Sequence, residues 1–187
     1  MDNIRNKPEE DRLIFNLELL MDLISNSMKI LQQSTSLNYE NEMAKLNLYK
    51  AGIKFLGSRN ITENFIKYSH EDCWDQIKNK DENFFLQNAQ QVFASVPSST
   101  IDSLKLIFTS VDKNGETIID EDYKNNIWKT LHNMIKISIK YVHRVRKEKM
   151  VNSEKYDNFL PEINLLHHAQ NWNFDDIVNE IRQYTRE

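Results

Sequence analysis

Cysteine, glycine and proline are all scarce in this chain, which has one cysteine, three glycines and three prolines among 187 residues. A single cysteine excludes an internal disulfide and any zinc site that needs a pair of cysteines. Sheets and sandwiches need turn residues at short intervals, whereas long helices do not, and the usual frequencies of glycine and proline are roughly 7% and 5%. The scarcity of both residues therefore predicts an all-α protein.

Long apolar runs are also missing, since none approaches the roughly 20 residues that a membrane-spanning helix requires. The first residues, MDNIRNKPEEDR, are charged and lack the apolar centre of a secretory signal peptide. We therefore expect a cytoplasmic protein with no membrane partner. The net charge of −4 is mildly acidic, whereas dedicated nucleic-acid-binding domains are usually basic.

The length suits a single domain with one core, and the apolar periodicity predicts an irregular bundle of about seven or eight helices around two long helices. The first long helix runs from Pro8 to about Gln33. The second runs from Glu121 to about Lys149, with acidic residues at its start and basic residues at its end, as the helix dipole favours. We expect residues 1–7 to be flexible, and residues 150–160 to form a loop before a C-terminal pair of helices.

Shorter helices are expected between the two long ones, because residues that cap helices precede stretches of helical periodicity. Gly57 is a suitable C-terminal cap for the first of these helices. The predicted starts are Tyr39, Asn60 or Thr62, Ser69 in a capping box with Asp72, Asp81, and Ser98 or Ser99.

The first long helix is apolar over more than half of its girth, so it must be covered on more than one side. A central position in the bundle explains this width, and a helix that also docks on a partner is the alternative. A protein partner or a homo-oligomer is thus expected. The residues predicted to contact it are Leu17, Met21, Ile24 and Met28.

The stretch SVDKNGETIIDEDY, residues 110–123, resembles a calcium-binding loop between two helices. An EF-hand loop needs oxygen ligands at positions 1, 3 and 5, glycine at position 6 and glutamate at position 12. With Asp112 at position 1, the glycine falls at position 4 and Tyr123 stands at position 12. With Ser110 at position 1, the candidate ligands Asp112, Asn114 and Glu121 fall correctly, but the first ligand is a serine.

A turn followed by a helix cap explains the same stretch with fewer assumptions. The residues DKNG favour a turn, and Asp120 can accept hydrogen bonds from the first amides of the long helix. Calcium binding through the three candidate ligands remains the alternative.

The most basic segment, KYVHRVRKEKM, has five lysines or arginines against one glutamate. On a helix Lys140, Arg144 and Lys147 share one face, with His143 beside it, and this face could contact the phosphates of a nucleic acid. The simpler explanation is that basic residues complement the dipole at the end of a helix and stay solvated.

Motifs for nucleotide binding and catalysis are missing, including the P-loop, the dinucleotide-binding glycine pattern, the nucleophile elbow and HExxH. No histidine has a glutamate three residues before it, which excludes the di-iron pattern of helical bundles. We therefore expect a protein that is not an enzyme and needs no cofactor.

Two stretches, WDQIKNKDENFFLQNAQQVF and IWKTLHNMIKISIKYVH, make the chain resemble uncharacterised helical proteins encoded by large DNA viruses of eukaryotes. The resemblance covers roughly residues 65–146 and rests on Trp74, Phe84, Phe85, Trp128 and the run KISIKYVH. It implies a location in the host cytoplasm or the virion, and it transfers no site residue. The expected function is a non-enzymatic protein-interaction or structural component, with nucleic-acid association and calcium binding as alternatives.

Overall fold

The structure is a computed structural model that describes residues 4–68, 74–92 and 98–151. Within these ranges the chain is all-α, and the only extended pairing is an isolated bridge between Val111 and Thr117. This confirms the predicted fold class, a helical bundle. The seven helices are α1 (Glu9–Ser34), α2 (Glu40–Leu56), α3 (Ser58–Tyr68), α4 (Trp74–Asn79), α5 (Glu82–Val92), α6 (Ser98–Thr109) and α7 (Glu121–Val151).

The ends of the chain differ from the prediction in detail. Residues 4–6 form a short 3₁₀ turn within the stretch that was expected to be flexible. Pro8 has the extended backbone of a residue before a helix (φ −51°, ψ 153°), so α1 begins one residue later than predicted. Because α7 continues to Val151, the expected loop cannot begin at residue 150. The predicted C-terminal helices and the capping box at Ser69 lie outside the described residues.

The shorter helices begin where local hydrogen bonds allow. Gly57 has a φ of 74°, which lets the chain turn sharply, so α3 begins at Ser58, earlier than predicted. The predicted cap of α5 is confirmed, since the backbone amide of Phe84 donates to Oδ1 of Asp81 at 2.9 Å. The α6 helix begins at Ser98, so both serines predicted as its cap, Ser98 and Ser99, lie within the helix.

The core lies between α1 and α7, which pack against each other along their lengths in antiparallel orientation. Leu13, Met28 and Leu31 of α1 are completely buried or nearly so. One side of α7 is apolar, and all of it is buried except Leu131, which is partly exposed. Its buried members are Ile127, Met134, Ile135, Ser138, Val142 and Val145.

The α2 and α3 helices cover one side of this central pair. Ile53 of α2 and Ile61 of α3 pack in one cluster with Leu13 and Met134. At the surface, an ion pair joins α2 to α1, with Nζ of Lys50 2.7 Å from the carboxylate of Asp22. This packing fixes which side of α2 faces the bundle.

Candidate interaction face on α2

The bundle side of α2 is apolar. Ile53 is buried against α1 and α3. Met43 and Leu46 pack against the cluster that contains Met28 and Leu31. These contacts account for the apolar residues on one side of the helix.

The opposite side of α2 is also apolar, and it faces solvent. The exposed fractions of Leu48, Tyr49, Phe55 and Leu56 are 73, 54, 88 and 60%. Leu48 and Phe55 are seven residues apart, as are Tyr49 and Leu56, so the four side chains form two adjacent rows. Half of the eight large hydrophobic side chains that are exposed in the described ranges lie on this one helix, which sets it apart from the scattered apolar residues of ordinary surfaces.

Small residues complete this side of the helix. Ala44, Leu48, Ala51 and Phe55 follow one another at steps of four, three and four residues, the spacing of a helix seam. Gly52 lies beside them. We call this surface the α2 apolar face, and its members are Ala44, Leu48, Tyr49, Ala51, Gly52, Phe55 and Leu56. Lys45, seven residues before Gly52, is the charged residue on the same side of the helix.

Gly52 lies in the middle of α2, where glycine costs roughly 1 kcal/mol relative to alanine. A Cβ atom added at Gly52 would meet no atom within 4 Å. The described part of the chain therefore gives no packing reason for the missing side chain. A close approach from outside the chain would explain it.

The size of the face can be compared with known classes of surface. For large side chains of roughly 150 to 250 Å² each, the exposed fractions amount to on the order of 500 Å² of apolar surface. The largest apolar patch on a typical monomer covers about 300 to 600 Å² and is often functional. One side of a standard protein interface covers about 800 Å², so the face approaches the size of an interaction surface.

The residues predicted on α1 lie elsewhere. Met28 is completely buried, and Ile24 packs beside it. Leu17 and Met21 pack around Leu13 in the cluster shared with α2, α3 and α7. The width of the apolar surface on α1 thus has an internal explanation, because α2, α3, α6 and α7 all contact this helix. The sequence signal for α2 was available, since its two apolar rows exceed what one buried face needs.

The loop before α7 is a hydrogen-bonded turn. Oδ1 of Asp112 accepts from the backbone amides of Asn114 at 2.8 Å and Glu116 at 3.0 Å. Gly115 has a φ of 83°, as the turn requires. These hydrogen bonds hold the pKa of the Asp112 carboxyl below its ordinary value, and the bond from the Glu116 amide has the largest effect. The predicted turn is confirmed.

The three candidate calcium ligands are each engaged in the chain. The side-chain amide of Asn114 donates to Asp112 at 3.3 Å, while Glu121 accepts from Nζ of Lys124 at 3.1 Å. The described residues contain no group of three metal-ligating side chains. The predicted cap is confirmed, because Oδ1 of Asp120 accepts from the Tyr123 amide at 2.7 Å. Calcium binding at this loop stays a prediction.

The basic end of α7 is built around Arg144, which is enclosed by acids. Its Nε donates to Glu9 at 2.8 Å, its Nη1 to Glu148 at 2.9 Å, and its Nη2 to Glu10. The hydrogen bonds from the guanidinium to the three carboxylates raise the pKa of Arg144 despite its partial burial. Arg144 therefore joins α7 to the start of α1, and it is not the solvated group that the sequence suggested.

The other predicted phosphate contacts surround this network. Lys140 is half-buried, and desolvation followed by repulsion from Arg12 lowers its pKa. His143 is half-buried, and the side chain of Lys147 lies outside the part of the chain that the structure describes. Glu9, Glu10 and Glu148 therefore lie among the described basic residues at this end of the bundle. Nucleic-acid contact through Lys140, His143, Arg144 and Lys147 stays a prediction.

A second basic surface is a cleft between α4 and α7. It has a volume of about 540 Å³, within the range of about 300 to 1,000 Å³ for ligand pockets. Nζ of Lys80 donates to Oδ1 of Asn125 across the cleft at 2.8 Å. Asp122 is the only acid among its described lining residues. The cationic or titratable lining residues are Lys78, Lys80, Lys129 and His132.

Comparison with known proteins adds no relative to this picture. No family model, no curated protein and no solved structure matches the chain. Among the described helices, none combines the length and the apolar content required to cross a membrane. The conclusions about function therefore rest on the residues themselves.

Proposed function

We propose that this protein is a non-enzymatic interaction or structural component that binds a protein partner through the α2 apolar face. The observation that carries the proposal is the exposure of Leu48, Tyr49, Phe55 and Leu56 on one side of a helix whose other side is already packed. Large apolar side chains on a second, outward side of a helix favour an interaction surface. No described residue covers this side of α2, and a protein partner would bury it.

The partner's chemistry follows from the face. Apolar side chains around Gly52 suit another helix, because a residue without a side chain lets two helix backbones approach closely. The sequence resemblance adds the proposal that the partner belongs to a virus-infected cytoplasm or to a virion. Both proposals depend on the same surface.

The test replaces Leu48 and Phe55 by glutamate. Because both side chains are largely exposed, the double variant should keep the melting temperature of the wild-type protein within a few degrees. Affinity capture from native cells should lose the partners that the wild type retains. Lys113→Glu is the control, since Lys113 is exposed in the turn before α7 and lies outside the face. Unchanged partners in the double variant would refute the proposal.

Nucleic-acid association is a second candidate function, and the cleft between α4 and α7 is the observation that favours it. Three lysines in one cleft can neutralise neighbouring phosphates. This places the proposed contacts away from Arg144, which is engaged with acids.

A labelled DNA duplex provides the test by fluorescence anisotropy at several salt concentrations. Changing Lys80 and Lys129 to glutamate should weaken binding and lower the salt dependence by about one unit of slope for each lost contact. Lys113→Glu, in the exposed turn before α7, is the control. Equal binding by the cleft variant and the control would exclude the cleft.

A further inference from the structure

We propose that the partner of the α2 apolar face is a second copy of this chain, paired through the same face in antiparallel orientation to form a two-fold symmetric dimer. The inference rests on the proposed interaction role of α2 and names the partner. Self-pairing through one surface is the commonest symmetry of soluble oligomers. The sequence of side-chain sizes along α2 carries the argument.

Large and small side chains alternate along the seam, in the order Ala44, Leu48, Ala51, Phe55. When the two-fold axis passes between residues 49 and 50, Leu48 faces Ala51 of the second copy and Phe55 faces its Ala44. Each large side chain then has space opposite it, as interdigitated packing requires. A parallel pair would instead set Phe55 against Phe55 and leave two layers of alanine unfilled.

Gly52 fits the same arrangement. It follows Ala51 and lies within one turn of the two-fold axis, where an added side chain would hold the two helices apart. The structure leaves open space at the position of its missing Cβ atom, and a second helix would occupy that space. The dimer thus supplies a reason for a mid-helix glycine that the described part of one chain does not give.

Charge also favours the antiparallel orientation. The first turn of α2 carries Glu40 and Glu42, whereas its last turn carries Lys54. Antiparallel pairing brings the acidic end of each helix toward the basic end of the other, and it opposes the two helix dipoles favourably. In the proposed register Lys45 is level with Lys54 of the second copy, but the two lysines lie on opposite flanks of the seam. Their neighbours on the same flank are Gly52 and Asn47, so no like charges meet across the seam.

The area of the two paired faces determines how tightly we expect the dimer to associate. Two faces of on the order of 500 Å² bury about 1,000 Å² together, at the lower limit for a specific interface. Interfaces of that size are typical of reversible association. The dimer should therefore form and dissociate with concentration.

The first experiment measures the mass of the full chain by sedimentation equilibrium from about 1 to 200 µM. The expected mass rises from the 22.3 kDa of one chain toward twice that value. Leu48→Glu should remain monomeric throughout the range. Gly52→Leu should weaken dimerisation at least tenfold, although leucine favours the helix more than glycine does and the variant should fold at least as well. Lys113→Glu should dimerise like the wild type.

Orientation is tested with the variant Asn41→Cys in a Cys73→Ser background. A spin label is attached to the new cysteine of each copy, and the distance between the two labels is measured. In the proposed register residue 41 is level with residue 58 of the second copy, so the labels are about 26 Å apart along the axis at 1.5 Å per residue. A parallel dimer would place the two labels side by side, which would overturn the proposed pairing.

The outcomes separate this inference from the proposed function. A wild-type monomer at 200 µM overturns the dimer. If Leu48→Glu nevertheless loses its captured partners, the face binds a different protein and only the choice of partner is wrong. If that variant keeps every partner and the wild type is monomeric, both proposals are wrong.

Discussion

Replacement of Arg144 by glutamine should destabilise the fold more than most substitutions of a single charged residue near the surface do. The guanidinium donates to two carboxylates at the start of α1, Glu9 and Glu10, and to Glu148 of α7. It also lies 5.2 Å from the centre of the Tyr141 ring. Glutamine removes the charge and the planar fork, and it leaves three carboxylates close together.

The expected loss lies between two limits. Breaking a fully buried ion pair costs about 3 to 5 kcal/mol, while an exposed pair contributes about 0 to 1 kcal/mol. The four side chains are 16 to 37% exposed, so solvent screens part of the interaction. The helix dipole at the start of α1 stabilises the two glutamates left there. We therefore expect a decrease in the free energy of unfolding of about 2 to 3 kcal/mol.

Urea unfolding followed by circular dichroism provides the assay. With a denaturant dependence of about 2 kcal/mol per molar urea, the midpoint should fall by about 1 to 1.5 M. Lys50→Gln is the matched control, because it also removes one cation that joins α1 to a second helix. Its partner Asp22 is 55% exposed, and the expected loss is below about 1 kcal/mol.

The stability losses of Arg144→Gln and Lys50→Gln together test whether the Arg144 network holds α1 against α7. If Arg144→Gln costs no more than Lys50→Gln, the carboxylates around Arg144 do not hold α1 against α7. A loss that disappears in 1 M salt would likewise show that the network is solvated, since buried pairs are screened much less than exposed ones.

Three further substitutions test single contacts by the same assay. Tyr141→Phe should cost about 1.5 to 3 kcal/mol, because the hydroxyl donates to the Glu63 carboxylate at 2.7 Å. Desolvation and this hydrogen bond raise the pKa of Tyr141. The free energy of unfolding should therefore be unaffected by Tyr141 ionisation below about pH 10 and decrease above it, and the variant should lack that decrease. Tyr39→Phe should be neutral or stabilise by up to about 1 kcal/mol, since its buried hydroxyl finds no hydrogen-bond partner among the described residues. A loss above about 1 kcal/mol there would contradict this account. Asp120→Ala should cost about 1 kcal/mol as a lost helix cap, and an unchanged midpoint would contradict the cap.

Helices were predictable where local signals agreed. The α7 helix combines acidic residues at its start, a capping Asp120 and a regular apolar side. It begins at Glu121, as predicted, directly after the cap. The cap at Asp81 was likewise visible from neighbouring residues. Boundaries were less accurate where one backbone angle decides them, as at Pro8 and Gly57, because composition does not report φ and ψ.

The candidate site was only half visible in the sequence. The apolar width of α1 and of α2 can each be counted from their residues, but a count does not show which width is covered inside the chain. Tertiary packing places four helices around α1, while no described residue covers the outward side of α2. The prediction of a contact surface on α1 therefore concerned residues that the bundle packs internally.

The same division applies to charge. The sequence by itself determined that α7 ends in basic residues, because charge order along a helix is a local property. Only the tertiary structure decided that Arg144 meets Glu9 and Glu10, which are more than 130 residues away, and that Lys80 and Lys129 line one cleft. Contacts between residues far apart in the chain depend on how whole helices pack, and that is set by the sum of many apolar contacts rather than by any one motif.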